Sequence, residues 1–186
     1  MAKKRRKPKM EFRYYQMSAG SPILALLGQK WVQNYGNGVG YLHFHNYLEI
    51  GYCYGGDGHM ILGEEEERFY GGIVTVIPPN YPHTTNSDIG TVSKWEYLFI
   101  DVEGFMKKFL DNPVKAEKVI QRIYSRVLFF EEKEHLSISK KIRKIMDIMR
   151  DGEEFFLEEA KGVLAALLVE IARLNRDSGE DKVAED

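Results

Sequence analysis

Short apolar stretches fill the chain from about residue 11 to residue 101. Most are rich in aromatic and β-branched residues and are separated by turns that contain glycine or proline, which is the pattern of β-strands. The stretch GGDG, Gly55 to Gly58, predicts a hairpin turn because glycine adopts the positive φ angles that such turns need. Short strands at this close spacing predict a β-sandwich or a small barrel. The stretches are EFRYYQM, YLHFHNYLEIGYCY, HMILG, ERFYGG, IVTVIPP and VSKWEYLFI.

Helical spacing replaces this strand pattern after Asp101. Residues 105–110 predict a short helix that ends before the proline at position 113, because the residue before a proline disfavours helical backbone. Residues 114–130 stay ambiguous, since VKAEKVIQRIYSRV fits a helix whereas VLFF fits a strand.

Two longer helices are predicted towards the end of the chain. Apolar residues recur every three or four positions over 137–149, where Ser137 is placed to cap the helix, and again from about Glu154 to Asn175. The expected fold class is therefore mainly β, a barrel followed by two amphipathic α-helices. The predicted organisation is a basic flexible arm at 1–10, a β-barrel at 11–125, a helical dimerisation region at 126–176 and a linker-like tail at 177–186.

The last predicted helix is apolar almost all round at its centre, VLAALLV. A helix of this kind must be covered on more than one side. A second copy of the same helix is the simplest cover, because twofold dimers bury one self-complementary patch, and the alternative is that both faces pack within the monomer. The residues predicted to form a homodimer interface are Phe156, Ala160, Val163, Leu164, Leu167, Leu168 and Ile171.

The composition is that of a globular protein, with 44% hydrophobic residues and a net charge of −2. Six of the first ten residues are Lys or Arg, so the N-terminus is expected to be a solvated mobile arm, with a phosphate-binding tail as the alternative. The single cysteine, Cys53, excludes an internal disulfide and is expected to be a small buried residue. No apolar run approaches the roughly 20 residues of a membrane span and no signal peptide is evident, so a cytoplasmic location is expected.

The candidate chemistry of the chain lies in HFHNYLEIGYCYGGDG, residues 43–58. Side chains alternate between two faces along a strand, so His43, His45, Tyr47 and Glu49 are expected to share one face of a single strand. A row of imidazole and carboxylate groups predicts either a metal site or the polar lining of a small-molecule pocket.

Together with GIVTVIPPNYPH, residues 72–83, this stretch resembles the paired motifs of the cupin superfamily. The first motif is HxH followed at fixed spacings by a glutamate and a glycine, and His43, His45, Glu49 and Gly56 match it at every position. The glycine, proline and histidine that open, centre and close the second stretch match the second motif.

The second motif departs from the family pattern at two positions. Asn80 stands where a glycine is usual, and Ser87 stands where an asparagine is usual, with Asn86 one residue early. The cupin resemblance implies a β-barrel whose interior binds a divalent metal ion such as Zn, Fe, Ni or Mn. The metal ligands that it implies are His43, His45, Glu49 and His83.

The rest of the chain indicates which cupin-like family the sequence resembles. A barrel that ends in a strand like WEYLFI and is followed by two helices looks like the effector-binding and dimerisation domain of AraC-type transcription regulators, and phrases such as YLEIGYCYGGDGHMILG are typical of that family. The resemblance covers about residues 15–176. It implies a cupin-like barrel (a double-stranded β-helix, or jelly-roll) that binds a small-molecule effector, with a sugar as one candidate. The effector-binding residues that it implies are His43, His45, Tyr47, Glu49 and His83.

Two function classes follow from these resemblances. The expected one is a non-enzymatic sensing and dimerisation domain, which reaches DNA only through a helix-turn-helix domain that this sequence does not contain. The alternative is a metal-dependent cupin enzyme, a dioxygenase or isomerase, that uses the four candidate ligands.

Overall fold

A computed structural model describes residues 9–28, 32–33 and 41–178. Apart from its last two residues, the predicted basic arm at 1–10 lies outside the described residues. The predicted tail at 177–186 also lies outside them, apart from its first two residues.

Two β-sheets face each other and form the barrel. The five-stranded sheet contains, in spatial order, β1 (Lys9–Arg13), β4 (Tyr41–His45), β9 (His83–Ser87), β6 (Gly58–Leu62) and β7 (Glu65–Phe69). The six-stranded sheet contains β11 (Leu128–Glu131), β8 (Ile73–Ile77), β5 (Leu48–Gly55), β10 (Ser93–Ile100) and β2 (Ile23–Leu26), with β3 (Val32–Gln33) also paired to β10. Paired strands are antiparallel except β1, which lies parallel to β4. The predicted mainly β fold with helices at the C-terminal end is confirmed.

The turn between β5 and β6 forms where GGDG predicts it. Gly56 has a φ of +85°, and a Cβ atom at this position would lie 2.5 Å from the backbone oxygen of Val92. Only glycine tolerates both the positive φ and this contact. The close approach packs the β5–β6 turn against the start of β10.

The chain crosses from one sheet to the other at Asn46 and Tyr47. His43 and His45 therefore lie on β4 of the five-stranded sheet, whereas Glu49 lies on β5 of the six-stranded sheet. The prediction that these residues share one face of a single strand is wrong. They can still meet, because β4 and β5 present them from opposite walls of the barrel.

The described residues contain four α-helices: α1 (Val102–Phe109), α2 (Pro113–Tyr124), α3 (Leu136–Asp151) and α4 (Phe156–Leu174), the last continuing into a 3-10 helix at Asn175–Ser178. The ambiguous stretch 114–130 contains two elements. Its first part belongs to helix α2. Its last residues form strand β11, which returns to the barrel beyond the boundary predicted at residue 125. Ser137 is not the cap of α3, which begins after His135; its hydroxyl donates to Glu170 instead. None of the helices in the described ranges is long and apolar enough to cross a membrane.

The helices cover the outer face of the six-stranded sheet, and the alternation along β5 separates two cores. Ile50 points outwards and joins a cluster with Leu98 and residues of the helices. Cys53 points inwards and packs with Trp95 and Phe69 between the two sheets. The prediction that Cys53 is simply a buried residue is confirmed.

The apolar face of α4 is covered within a single chain. This helix packs on α3 and on α2. Phe156 and Val163 are half-buried and pack against the same core. The single chain therefore covers these side chains through α2 and α3, as the alternative expected, and a homodimer through this helix stays a prediction. The remaining five residues predicted for the dimer interface are fully buried in the single chain: Ala160, Leu164, Leu167, Leu168 and Ile171.

Candidate functional site

Four polar side chains converge inside the barrel, near one end of the facing sheets. The ring centroids of His43 and His83 are 4.2 Å apart, and those of His45 and His83 are 5.0 Å apart. The Glu49 carboxylate lies between the rings, 3.0 Å from Nε2 of His45 and 3.5 Å from Nε2 of His83. Glu49 is only 4% exposed. The structure thus places all four side chains close together, but His45 is not among the three residues, His43, Glu49 and His83, whose ligand atoms lie near enough to one another to share an ion.

Strand register places His83 against the first histidine pair. His83 opens β9 and is paired directly with His43 on β4. The loop before β9 contains Asn80, which has a φ of 61°. Asparagine is among the few non-glycine residues that adopt this left-handed conformation readily. The departure from the glycine usual in the motif is therefore compatible with the loop that delivers His83.

Tyr47 is the one predicted binding residue that does not join this cluster. It lies at the crossing between the sheets, and its side chain lines a separate surface groove with Pro79, Asp101 and Tyr124. Only its backbone carbonyl reaches the site, where it accepts a hydrogen bond from the ring of His45. The strand alternation assumed for Tyr47 is interrupted by the crossing, which turns its side chain away.

Backbone contacts set the tautomer of two of the histidine rings. Nδ1 of His45 lies 2.8 Å from the carbonyl oxygen of Tyr47, and Nδ1 of His83 lies 2.9 Å from that of Tyr81. A carbonyl oxygen only accepts, so each Nδ1 must carry the proton. In a neutral ring Nε2 then has a free lone pair, which is the arrangement found in histidines that bind metal ions.

These Nε2 atoms are buried and lack a well-directed hydrogen bond within the described residues. Nε2 of His45 lies 3.0 Å from one oxygen of Glu49, and Nε2 of His83 lies 3.5 Å from the other. A lone pair of Nε2 facing a carboxylate oxygen is repulsive unless a proton or a cation lies between them. A proton on Nε2 or a bound cation would each relieve this repulsion, and a set of imidazole and carboxylate donors fits a divalent cation.

The spacing of the donor atoms supports the same conclusion. One ligand atom from each of His43, Glu49 and His83 lies within 4.8 Å of the others. Ligand atoms bound to a single ion with bonds of about 2.1 Å are at most about 4.2 Å apart. A shift of a few tenths of an ångström would bring these three groups onto one ion.

Burial controls the charge state of the site. Burial, reinforced by the neighbouring His83, lowers the pKa of His43 to about 3. Burial alone would raise the pKa of Glu49, but the charge of His83 and hydrogen bonds from His45 and His83, which require a proton on Nε2, outweigh it and hold that pKa below its usual range. At neutral pH the site therefore contains a carboxylate and a neutral His43 ring, both suited to bind a cation.

The low pKa of His43 predicts a stability that falls with acidification. Between about pH 6.5 and pH 3 the unfolded chain protonates this ring and the native chain does not, so the free energy of unfolding rises with pH across this window. Urea unfolding of the chelator-treated protein at about pH 7 and pH 5 should show the loss. His43→Gln should reduce the slope, whereas His59→Gln, at a histidine whose side chain is 41% exposed, should not. Equal slopes for His43→Gln and the unmodified protein would contradict the prediction.

The segment that follows β1 closes the site from outside. The ring of Tyr15 stacks on Phe99 at 3.9 Å and lies 6.0 Å from the ring of His45. The Asn46 side chain fixes this segment with two hydrogen bonds to the backbone of Tyr15, each 2.9 Å long. Spacing in the sequence does not reveal Phe99 or Asn46 as part of the site, because their contacts join segments far apart in the chain.

A family model described as the AraC-like ligand binding domain matches residues 33–168. The match covers most of the chain. The chain belongs to this family. The family explains why a cupin-like barrel continues into helices that pack on its outer face, and it confirms the resemblance to AraC-type regulators.

A solved structure of low sequence identity shares the fold of this AraC-like domain. Apo ToxT K231A from Vibrio cholerae strain SCE256 is 10% identical, with a TM-score of 0.53 over 84% of this chain and 58% of that chain. Wild-type ToxT with a bound unsaturated fatty acid is 12% identical, with a TM-score of 0.42 over 85% of this chain and 58% of that chain.

A cupin 2 conserved barrel domain protein from Rhodopseudomonas palustris is 18% identical, with a TM-score of 0.33 over 47% of this chain and 68% of that chain. The AraC-like domain thus spans a little more than half the length of ToxT. No curated protein matches the chain.

Proposed function

We propose that this AraC-like domain senses a small-molecule effector, which binds inside the barrel at the cluster of His43, His45, Glu49 and His83. The observation that supports the proposal most strongly is the pair of buried Nε2 atoms without a well-directed partner. Buried polar atoms of this kind cost free energy unless a ligand, ion or water satisfies them. A helix-turn-helix domain, which this sequence does not include, would carry the effector signal to DNA.

The surroundings of the cluster favour an effector with both an apolar and a polar part. The rings of Phe99 and Tyr15 form one wall, and His45 meets Phe99 edge-on at 5.0 Å. Sites of this composition bind the apolar part of a ligand by contact area and orient it through a few polar groups. Sugars and organic acids both meet these requirements.

We also propose a divalent metal ion at this cluster, held by His43, His45, Glu49 and His83. The tautomers of His45 and His83 and the negative charge of Glu49 support it, since imidazole and carboxylate suit Zn, Fe, Ni or Mn. The ion would supply open coordination positions for an oxygen atom of the effector. The family assignment favours this anchoring role over catalysis by a cupin enzyme.

A thermal-shift screen tests the effector proposal. The panel contains simple sugars, short carboxylic acids and an unsaturated fatty acid, each measured with and without Zn²⁺. A ligand present at about 100 times its Kd stabilises the native state by about 2.7 kcal/mol, which raises Tm by several degrees. His83→Gln should lose the shift, whereas the matched change His59→Gln, at a histidine with a 41% exposed side chain, should keep it.

The site at which a compound binds decides whether a positive result supports the proposal. A compound that raises Tm of the unmodified protein and of His83→Gln equally binds outside the barrel cluster, which would contradict the proposal. Failure of the whole panel, with and without Zn²⁺, would also count against a sensor of sugars or organic acids.

A further inference from the structure

A second cleft, separate from the barrel cluster, lies between the segment 17–22 and helix α1. Its volume is about 500 Å³, and Lys161 of α4 completes its lining. None of the four side chains of the barrel cluster lines it. The volume falls within the range of about 300–1,000 Å³ that is typical of small-molecule sites.

Backbone hydrogen bonds hold the two walls of this cleft in place. The N–H of Asp101, at the start of α1, donates to the carbonyl oxygen of Pro22 at 3.0 Å. Within the segment, the N–H of Ser21 donates to the carbonyl oxygen of Ser18 at 3.1 Å. The cleft is therefore formed before any ligand arrives, which lowers the cost of ordering it on binding.

Two phenylalanine rings of α1 give the cleft an aromatic wall. Phe105 is half-buried and packs against the core, whereas Phe109 is 50% exposed. Their rings are nearly parallel, at 9°, with centroids 5.8 Å apart. Met17 and the buried Pro22 line the cleft with them. The exposed Phe109 ring is therefore available to stack with a planar ring of a ligand.

One lysine of α1 faces this cleft without a partner. Lys108 lines the cleft and forms no ion pair with any other residue in the ranges that the structure describes. The neighbouring Lys107 differs, because it pairs with Glu103 one turn earlier at 3.2 Å. The charge of Lys108 thus remains available to an anion.

A second lysine enters the cleft from α4. Lys161 has a side chain that is only 33% exposed, and its contact with Glu158 is long, at 3.6 Å. The Asp101 carboxylate also lines the cleft, but it accepts a hydrogen bond from the N–H of Gly104 at 2.9 Å and so caps α1. The two lysines therefore favour a negatively charged group in this cleft.

We propose that this cleft binds an aromatic carboxylate, with its ring stacked on Phe109 and its carboxylate paired with Lys108 and Lys161. The apolar wall supplies contact area for the ring, and the two lysines select an anion over a neutral ring of the same shape. The cleft is a second ligand site of the domain. The inference goes beyond the proposed effector function and does not depend on it.

Isothermal titration with 2-naphthoate tests the ligand class. One equivalent should bind per chain, and more tightly than two reference compounds. The first is 2-naphthol, which has the same ring but no charge at neutral pH, and the second is acetate, which has the charge but no ring. Added salt should weaken the binding of 2-naphthoate, because charges near the surface are screened.

Substitutions in the cleft test its location. Lys108→Gln and Lys161→Gln should each weaken 2-naphthoate binding by about two- to fivefold, and the double variant by about tenfold. Lys107→Gln, on the same helix but outside the cleft, is the matched control. Phe109→Ser should lose most of the binding, whereas Val114→Ser, at a 79% exposed apolar residue outside the cleft, should keep it. Circular dichroism melts would show that the variants remain folded.

The barrel variant His83→Gln separates this site from the proposed effector site. It should bind 2-naphthoate as well as the unmodified chain does. Binding that is lost in His83→Gln and kept in Lys108→Gln/Lys161→Gln would place the acid in the barrel and overturn the proposal. Equal affinity for 2-naphthol, or no detectable binding of 2-naphthoate by the folded unmodified chain, would overturn it as well.

Discussion

Replacing Leu168 with aspartate is expected to unfold the domain rather than to release a folded monomer. Leu168 is 0% exposed in a single chain, where α4 packs on α2 and α3. The substitution removes a buried leucine, worth about 1.5–3 kcal/mol, and adds the larger cost of an unpaired buried charge. Native domains are stable by only about 5–15 kcal/mol, so loss of the cooperative urea transition is the expected result.

Ala166→Asp is the matched control for this prediction. It introduces the same side chain two residues away on the same helix, but at an exposed position. The expected cost is the lower helix propensity of aspartate, below about 1 kcal/mol, so the transition should survive with a small shift. A folded, monomeric Leu168→Asp variant would contradict the packing described for α4 and would restore its apolar face as a dimer interface.

Changing Glu49 to glutamine is expected to reduce the affinity of the barrel for Zn²⁺ or Ni²⁺ by on the order of 100-fold. The amide is similar in size but carries no charge, so it no longer attracts a cation held with His43 and His83. Protein purified without a chelator or a polyhistidine tag should contain close to one equivalent of a transition metal, and Glu49→Gln should contain much less. Isothermal titration after chelator treatment measures the difference in affinity.

The control for this measurement is Glu66→Gln, which removes one carboxylate from the exposed face of β7. Its metal content and affinity should equal those of the unmodified protein. Well under one equivalent of metal in the unmodified protein, together with no measurable binding by titration, would contradict the metal proposal. Effector binding would then be tested without metal, because the two proposals are measured separately.

The local pattern of the sequence was enough to predict the strands, the turn at GGDG and the two long helices, because alternation and helical spacing depend only on near neighbours. It also identified His43, His45, Glu49 and His83 through motif spacing. The stretch 114–130 stayed ambiguous, since its two halves follow different periods and only their contacts with α4 and β8 decide where α2 ends and β11 begins.

The tertiary structure decided what depends on contacts between distant segments. The chain crosses between sheets at Tyr47, so Glu49 reaches the histidines from the opposite wall and Tyr47 does not. Asn46 draws Tyr15 over the site across 31 positions of sequence. The clearest case is α4. Its periodicity shows that Leu168 must be buried. Only the packing of the helices decides whether a neighbouring helix or a second chain buries it.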